Sequence, residues 1–354
     1  MRKAFSLRYQ MTLSVNIKKS YPGFTLDVSF AAASKRIGIL GASGCGKTLT
    51  LKSVAGMVKP DEGLISFGNT VWFDKAKKIN VKTAGRNVGY LFQNYALFPN
   101  MTVKENITAA LHGAGIDKDR DKAAGDILKR FELWDLKDHR PDELSGGQQQ
   151  RTALARIMAC EPKLILLDEP FSAMDMFLRE GMRLELVRLL DEYDKPVVMV
   201  SHDRDEIYQM CDHIILMENG KVIAQGDTDE IFEHPLTPTA ARLTGCKNIS
   251  RIERINDHRI KALDWNGIEL ITDEKVTEKI TYAGIRAHDL IPGEEGVNVI
   301  PCGRVMISRL PFEWYVTLEN GLWWKTGRDL DDSKALNVLP QYVSIPPEKI
   351  ILMQ

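Results

Sequence analysis

A chain of 354 residues with 44% apolar and 27% charged side chains is long enough for two domains and too evenly mixed for a disordered, collagen-like or disulfide-stapled protein. Its 47 basic and 48 acidic residues leave a formal net charge of -1, so no whole-molecule field advertises nucleic acid or a membrane surface. The five cysteines are widely spaced with no C-x-x-C pair, which fits a reducing compartment, and no apolar run reaches the roughly 18 residues that span a bilayer, so a soluble, cytoplasmic chain is expected.

The basic start MRKAFSLRYQM lacks an apolar signal core, and Met11, beside the first strand pattern, competes with Met1 as the translation start. Alternation in TLSVNI and FTLDVSF predicts half-buried strands of a hairpin-rich N-terminal sheet. KRIGIL followed by GASGCGKT reads as strand, glycine loop and helix, the helix running through Leu49 to Met57. VGYLF (88–92), KLILLDEP (163–170) and PVVMVSH (196–202) are short apolar runs ending in polar residues. They predict buried parallel strands with functional residues at their carboxyl ends, where open α/β sheets bind ligands. Between about 94 and 160, helical periodicity is possible in Val103–Leu111, Lys118–Phe131 and Ser145–Cys160, a helical insertion in the α/β core. From about Asn248 the segments RIERIND, RIKALDW, IELITD, KITYAGI, WYVTL, LWWKTG and YVSIPP alternate with Gly, Pro and Asp, predicting a small all-β sandwich or barrel. The expected fold is thus an α/β P-loop core with a helical insertion and an N-terminal antiparallel subdomain (1–245), followed by a small all-β domain (246–354).

Gly41-Ala-Ser-Gly-Cys-Gly46-Lys47-Thr48 satisfies G-x-x-x-x-G-K-[ST] in that strand-loop-helix context. Its backbone N–H groups can close around phosphate oxygens, Lys47 can reach the β and γ phosphates, and the Thr48 hydroxyl can ligate Mg²⁺. A dinucleotide loop would not carry the following Lys-Thr. Leu164–Asp168 ends in a carboxylate able to hold Mg²⁺ through water, and Glu169 can activate a water as general base. Gln93 and His202 end two further strands; either is a satisfied edge residue or reaches the γ phosphate, and a sheet edge shared with the phosphate loop favours the second. A second anion-binding helix start, LSGGQQQR (144–151), has a glycine pair but no lysine.

With Walker A (41–48), Gln93, LSGGQ (144–148), Walker B (164–168), Glu169, SAMD (172–175) and His202 in this order, the first 245 or so residues resemble the nucleotide-binding subunit of an ATP-binding cassette (ABC) transporter. The resemblance implies ATP as the nucleotide and Mg²⁺ held by Thr48, Gln93 and Asp168, with Glu169, His202, Gln93 and Lys47 catalytic. It implies nucleotide contacts from Tyr21, stacked on adenine, and from Gly41, Ala42, Ser43, Gly44, Cys45, Gly46, Lys47, Thr48 and Thr50. It also implies a head-to-tail homodimer in which Ser145, Gly146, Gly147 and Gln148 complete the partner's site in trans, with Asp175 retained although Met174 stands where leucine is usual. Phe98, Pro99 and Met101 either line a groove for a permease helix or pack in the core. The implied setting is the cytoplasmic face of the membrane, peripheral, beside two permease subunits and indirectly an external binding protein, with no nucleic-acid partner.

The C-terminal part resembles the TOBE domain of importer ATPases. IRAHDLI, NVIPCGRV (298–305) and VGYLFQNYALFP fit best with the molybdate or tungstate importer family, with sulfate, iron, polyamine or sugar importers as the alternative. A soluble ABC protein acting on ribosomes or DNA would carry two cassettes or long coiled coils. Glu295 stands where a serine or threonine helps form an oxyanion site in related domains; a carboxylate would repel molybdate, which points to a structural domain.

Overall fold

The computed structural model describes residues 12–113, 115, 119–172, 174, 176–193, 195–294, 296–327 and 340–354; Met1, Met11, Asp175 and Glu295 lie outside the described residues. The alternating N-terminal segments form β1 (Leu13–Tyr21) and β2 (Phe24–Ala32), paired antiparallel from Leu13↔Ala32 to Tyr21↔Phe24. Leu13, Val15 and Ile17 are buried with Leu26, Val28 and Phe30, the period-2 outcome of a sheet covered on one face. Then come β3 (Arg36–Gly41), α1 (Lys47–Ala55), β4 (Glu62–Phe67), β5 (Thr70–Asp74), β6 (Ile79–Asn80), α2 (Thr83–Arg86) and β7 (Val88–Leu91). The helical insertion holds α3 (Val103–Gly113), α4 (Arg120–Arg130) and α5 (Gly146–Met158), and the core closes with β8 (Leu164–Asp168), α6 (Met176–Glu192), β9 (Val197–Ser201), α7 (Arg204–Met210), β10 (His213–Glu218) and β11 (Lys221–Asp227).

These strands make one sheet in the order β6-β5-β4-β1-β2-β11-β10-β3-β9-β8-β7. The N-terminal antiparallel strands join the parallel core at Lys221↔Asp27, where β11 runs beside β2. Strands β8 and β9 are buried at every residue, which is why they run apolar rather than alternating up to their polar last residues, Asp168 and Ser201. The parallel register sets Leu40 opposite Ser201, Val200 opposite Asp168 and Leu167 opposite Leu91, so four strand ends emerge at nearly one level.

Gly220, in the β10–β11 turn, accepts from the N–H of Asp27 (2.7 Å) and donates to the carbonyl of Cys45 (3.1 Å), stitching the first hairpin to the glycine loop. Its φ is +79°, and a Cβ there would lie 2.1 Å from the carbonyl oxygen of Thr25. Gly220→Ala is therefore expected to cost at least about 1 kcal/mol of stability. The readout is a lower urea midpoint at unchanged slope; an unchanged midpoint would mean that the turn is free to shift.

The remaining elements are α8 (Thr228–Glu233), α9 (Pro238–Leu243), β12 (Asn248–Asn256), β13 (Arg259–Ala262), β14 (Ile268–Ile271), β15 (Tyr282–Ile285), β16 (Ile291–Pro292), β17 (Val299–Pro301), β18 (Met306–Arg309), β19 (Glu313–Thr317), β20 (Trp323–Gly327), β21 (Tyr342–Ser344) and β22 (Ile351–Met353). They form three small sheets, ordered β14-β13-β12-β15-β22, β16-β21-β17 and β18-β19-β20, around Trp265, Leu322, Trp324 and Val343. The chain divides into compact units 1–228 and 229–354, ahead of the expected 245/246 division. The reason is local: Arg286 donates to the carbonyls of Thr244 (2.9 Å) and Phe232, and the N–H of Gln354 donates to Leu236 (3.1 Å), so the two short helices belong with the β strands. Among the described residues no helix is long and apolar enough to cross a membrane.

Candidate functional site

The loop after β3 needs its glycines for two separate reasons. A Cβ on Gly41 would sit 2.3 Å from the carbonyl oxygen of Met217 and 2.7 Å from Cys45 Sγ, while Gly44 and Gly46 take φ of +80° and +103°. Gly46 caps α1 without a side-chain hydrogen bond, leaving the first N–H groups of that helix open to an anion. Lys47 is buried, its Nζ folded back onto the carbonyls of Gly41 (2.8 Å) and Ala42 (3.1 Å). Burial raises the Cys45 thiol despite the opposing charge of Lys47, so Cys45 can serve a ligand through its backbone only.

Across the sheet edge, Asp168 is held through both oxygens. Thr48 Oγ1 donates to Oδ1 (2.7 Å) and the Tyr90 phenol donates to Oδ2 (2.7 Å). Burial first, and then this bond to Asp168, push the Tyr90 phenol far above its ordinary value, so it stays a donor. Glu169, one residue on, has a φ of +47°, a conformation that a non-glycine residue keeps only when its surroundings impose it. Here its N–H donates to Val200 (3.0 Å) and its carbonyl accepts from Ser172 Oγ (2.9 Å) and Ser172 N–H (3.2 Å). The resulting kink turns the carboxylate toward two partners, Oε1 lying 3.8 Å from Lys47 Nζ and Oε2 lying 3.3 Å from His202 Nδ1. The chain on either side of His202 is held: Ser201 Oγ accepts from the N–H of Asp203 (2.9 Å) and donates to buried Glu206 (2.5 Å), while Asp203 caps α7.

Lys47, Thr48 and Glu169 open onto a cleft of about 440 Å³ lined also by Ser43, Gly44, Gly46 and Gln93, together with Phe24, Leu49 and Lys52, while Asp168 and His202 stand outside its lining. The structure brings together Lys47, Thr48, Asp168, Glu169 and His202 by direct contact, with Gln93 on the cleft wall. It does not bring Thr50 there. That hydroxyl donates to Gly46 O (3.0 Å), and the side chain is buried against Met217, because residues two apart on a helix point to opposite sides. Tyr21, 43% exposed, stands outside the cleft lining, and its cross-strand neighbour Phe24 faces the cleft instead. Ser145, Gly146, Gly147 and Gln148 also lie outside it; Ser145 Oγ accepts from Gln148 N–H (3.4 Å) and Gln148 Oε1 accepts from Ser145 N–H (2.8 Å). This reciprocal cap leaves the N–H groups of Gly146 and Gly147 without a partner inside their own helix.

Sequence reasoning missed Phe24, Lys52 and Tyr90. Lys52, four residues after Thr48 on the same helix face, carried a readable signal; the reach of Tyr90 to a carboxylate 78 residues away did not. Chemically, the cleft offers a cation, free helix N–H groups, hard oxygen donors and a carboxylate beside an imidazole, an arrangement suited to a polyphosphate and an attacking water.

Residues 26–172 match the protein family described as ABC transporter. A probable sulfate/thiosulfate import ATP-binding protein of Chlorella vulgaris is 40% identical over 212 residues, 60% of this chain and 87% of the relative. A molybdenum import ATP-binding protein of Brucella melitensis is 38% identical over 220 residues, 62% and 61% of the two chains. Among solved structures, the ATP-binding cassette MJ0796, in a dimeric post-hydrolysis state bound to ADP and Pi, is similar at 30% identity and a TM-score of 0.52, covering 62% of this chain and 99% of that one.

Proposed function

This chain belongs to the ABC transporter family as an ATP-hydrolysing subunit, and from that membership we propose that it powers an importer from the cytoplasmic face of the membrane, with sulfate or thiosulfate as cargo. The observation that carries the catalytic part is the convergence of Lys47, Thr48 and Glu169 on one cleft at a single sheet edge, with Asp168 bonded to Thr48 beside it. Lys47 and the loop N–H groups from Gly41 to Thr48 bind the phosphates, and Tyr21 offers an exposed ring for the adenine. Glu169 takes the proton of the attacking water, and His202 orients Glu169 and the γ phosphate. The donor set fits Mg²⁺: the Thr48 hydroxyl and Asp168 carboxylate already lie 2.7 Å apart, and the Gln93 amide is on the same wall, all oxygen ligands. When bound, that ion would neutralise charge on the phosphate oxygens.

A second copy completes the site. Ser145, Gly146, Gly147 and Gln148 form a capped helix start, outside their own cleft, whose glycine N–H groups have no partner within the helix, and their partner is the γ phosphate held by another chain's Lys47. The dimeric relative supports this reading. Two permease subunits dock at Phe98, Pro99 and Met101; Phe98 is 47% exposed, and its loop is anchored by buried Asn106, which bonds to Phe98, Met101 and Thr102. An external binding protein acts through that permease.

For the cargo, the Chlorella vulgaris relative favours sulfate or thiosulfate, and the Brucella melitensis relative keeps molybdate as the second reading. Residues 246–354 are the TOBE-like part, read as structural; in keeping with this, the Asn298 amide is engaged by the main chain of Ile271 (2.6 and 2.9 Å) and Ile345 (3.0 Å). Vesicles reconstituted with this chain, its permease pair and the external binding protein test the cargo. ATP-dependent uptake of labelled sulfate, with molybdate a poor competitor, is expected; uptake of molybdate alone would overturn the sulfate reading.

A further inference from the structure

Two consecutive non-glycine residues just after Gln93, Tyr95 and Ala96, hold positive φ values of +59° and +47°. Side chains oppose that conformation, so something must hold it. The Tyr95 ring is buried, yet its hydroxyl has no hydrogen-bond partner among the described residues, so the side chain supplies no polar anchor of its own. Local turn bonds contribute, Tyr95 N–H to the carbonyl of Phe92 (2.8 Å) and Ala96 N–H to that of Asn94 (2.6 Å), and the side-chain clamp on the two carbonyls comes from α5, the helix that begins with the reciprocal cap of Ser145 and Gln148. Arg156, near its last turn, donates through Nη1 to the carbonyl of Ala96 (2.8 Å) and through Nη2 to that of Tyr95 (3.1 Å). The same guanidinium lies 5.1 Å from the centroid of the Phe98 ring. One planar fork thus engages two adjacent carbonyls and an exposed aromatic ring, a task that a lysine point charge cannot share out in the same way.

We propose that Arg156 is the positioning residue that ties the helix starting at Ser145 to the loop carrying Gln93, so that the trans-acting helix start and the cleft-lining glutamine move as one body. The inference rests on the reading above that Gln93 serves hydrolysis. It deepens that reading by giving the 94–98 segment a rigid link to the helix facing the partner's nucleotide.

The test is steady-state ATP hydrolysis by the full chain with Arg156→Met, Arg156→Lys, Ala96→Gly and the double variant Arg156→Met/Ala96→Gly. The expected result for Arg156→Met is a fall in kcat of about tenfold with KM for ATP within about twofold, the pattern of lost positioning rather than lost binding. Arg156→Lys should fall in between, and Ala96→Gly alone should stay within about twofold of the parent. In the double variant, glycine accepts positive φ without being held, so kcat should recover by severalfold. A core-packing role for Arg156 would give no recovery from a change at residue 96. An unchanged kcat in Arg156→Met, or no recovery in the double variant, overturns the proposal. If Arg156→Met fails to fold, Arg156→Lys with and without Ala96→Gly is judged by the same criteria. A parent chain without ATPase activity would instead overturn the catalytic reading itself.

Discussion

Glu169→Gln is expected to leave ATP binding within a few-fold of the parent while lowering turnover by about 10²–10⁴-fold, the usual weight of a positioned general base. The substitution is nearly isosteric, and the bonds that fix residue 169 run through its main chain to Val200 and Ser172, so the kinked backbone should survive it. An amide can still face His202 Nδ1 but cannot accept the proton of the attacking water. Fluorescent-nucleotide titration measures the first expectation and phosphate release the second. Size-exclusion chromatography in ATP should show the variant held as a dimer, since closure is no longer relieved by hydrolysis. Robust phosphate release by Glu169→Gln would reject the role of this carboxylate.

The second large effect concerns composite sites. Lys47→Ala alone and a bulky Ser145→Arg alone should each abolish hydrolysis, the first by removing the cation that faces the phosphates, the second by blocking the helix start. Mixed in equal amounts, random pairing makes about half of the dimers mixed. Each of those carries one intact site, the unaltered Lys47 of one chain facing the unaltered Ser145 of the other, so activity should return to about a quarter of the parent if the sites fire independently. Absence of any recovery, with mixed dimers verified by differential tags, would count against a site built from two chains.

Much of this arrangement could be read in the linear chain because its parts are contiguous. KRIGIL-GASGCGKT gives β3, the loop and α1 in one stretch, and the apolar runs of LILLD and VVMVS become the buried strands whose ends carry Asp168 and lead to His202. The C-terminal strand segments were legible for the same reason, as short β-rich runs between Gly, Pro and Asp. What stayed hidden depends on contacts between distant residues or on backbone choices that the residue types disfavour. Glutamate gives no hint of a φ of +47°, nor do Tyr95 and Ala96 announce theirs. The Tyr90–Asp168 and Arg156–Ala96 bonds join residues 78 and 60 positions apart. The resemblance names Thr50 as a nucleotide contact, whereas helix geometry turns its hydroxyl to Gly46 O and its side chain into the core. The division between the two units was also hidden, since contacts between distant residues, such as the bonds of Arg286 and Gln354 and the packing of Ala241 on Met353, assign the short helices to the β strands.

The common level of the strand ends has a consequence for how freely the sequence can drift. Leu40, Ser201, Val200, Asp168, Leu167 and Leu91 are aligned by main-chain ladders whose hydrogen bonds are the same for any residue type. The apolar identities along β3, β7, β8 and β9 can therefore be exchanged for others of similar volume while the distances among Lys47, Asp168, Glu169 and His202 persist. Selection acts on the scaffold's filling and on the reacting groups as nearly separate problems, so such a chain can wander far in composition without losing its chemistry.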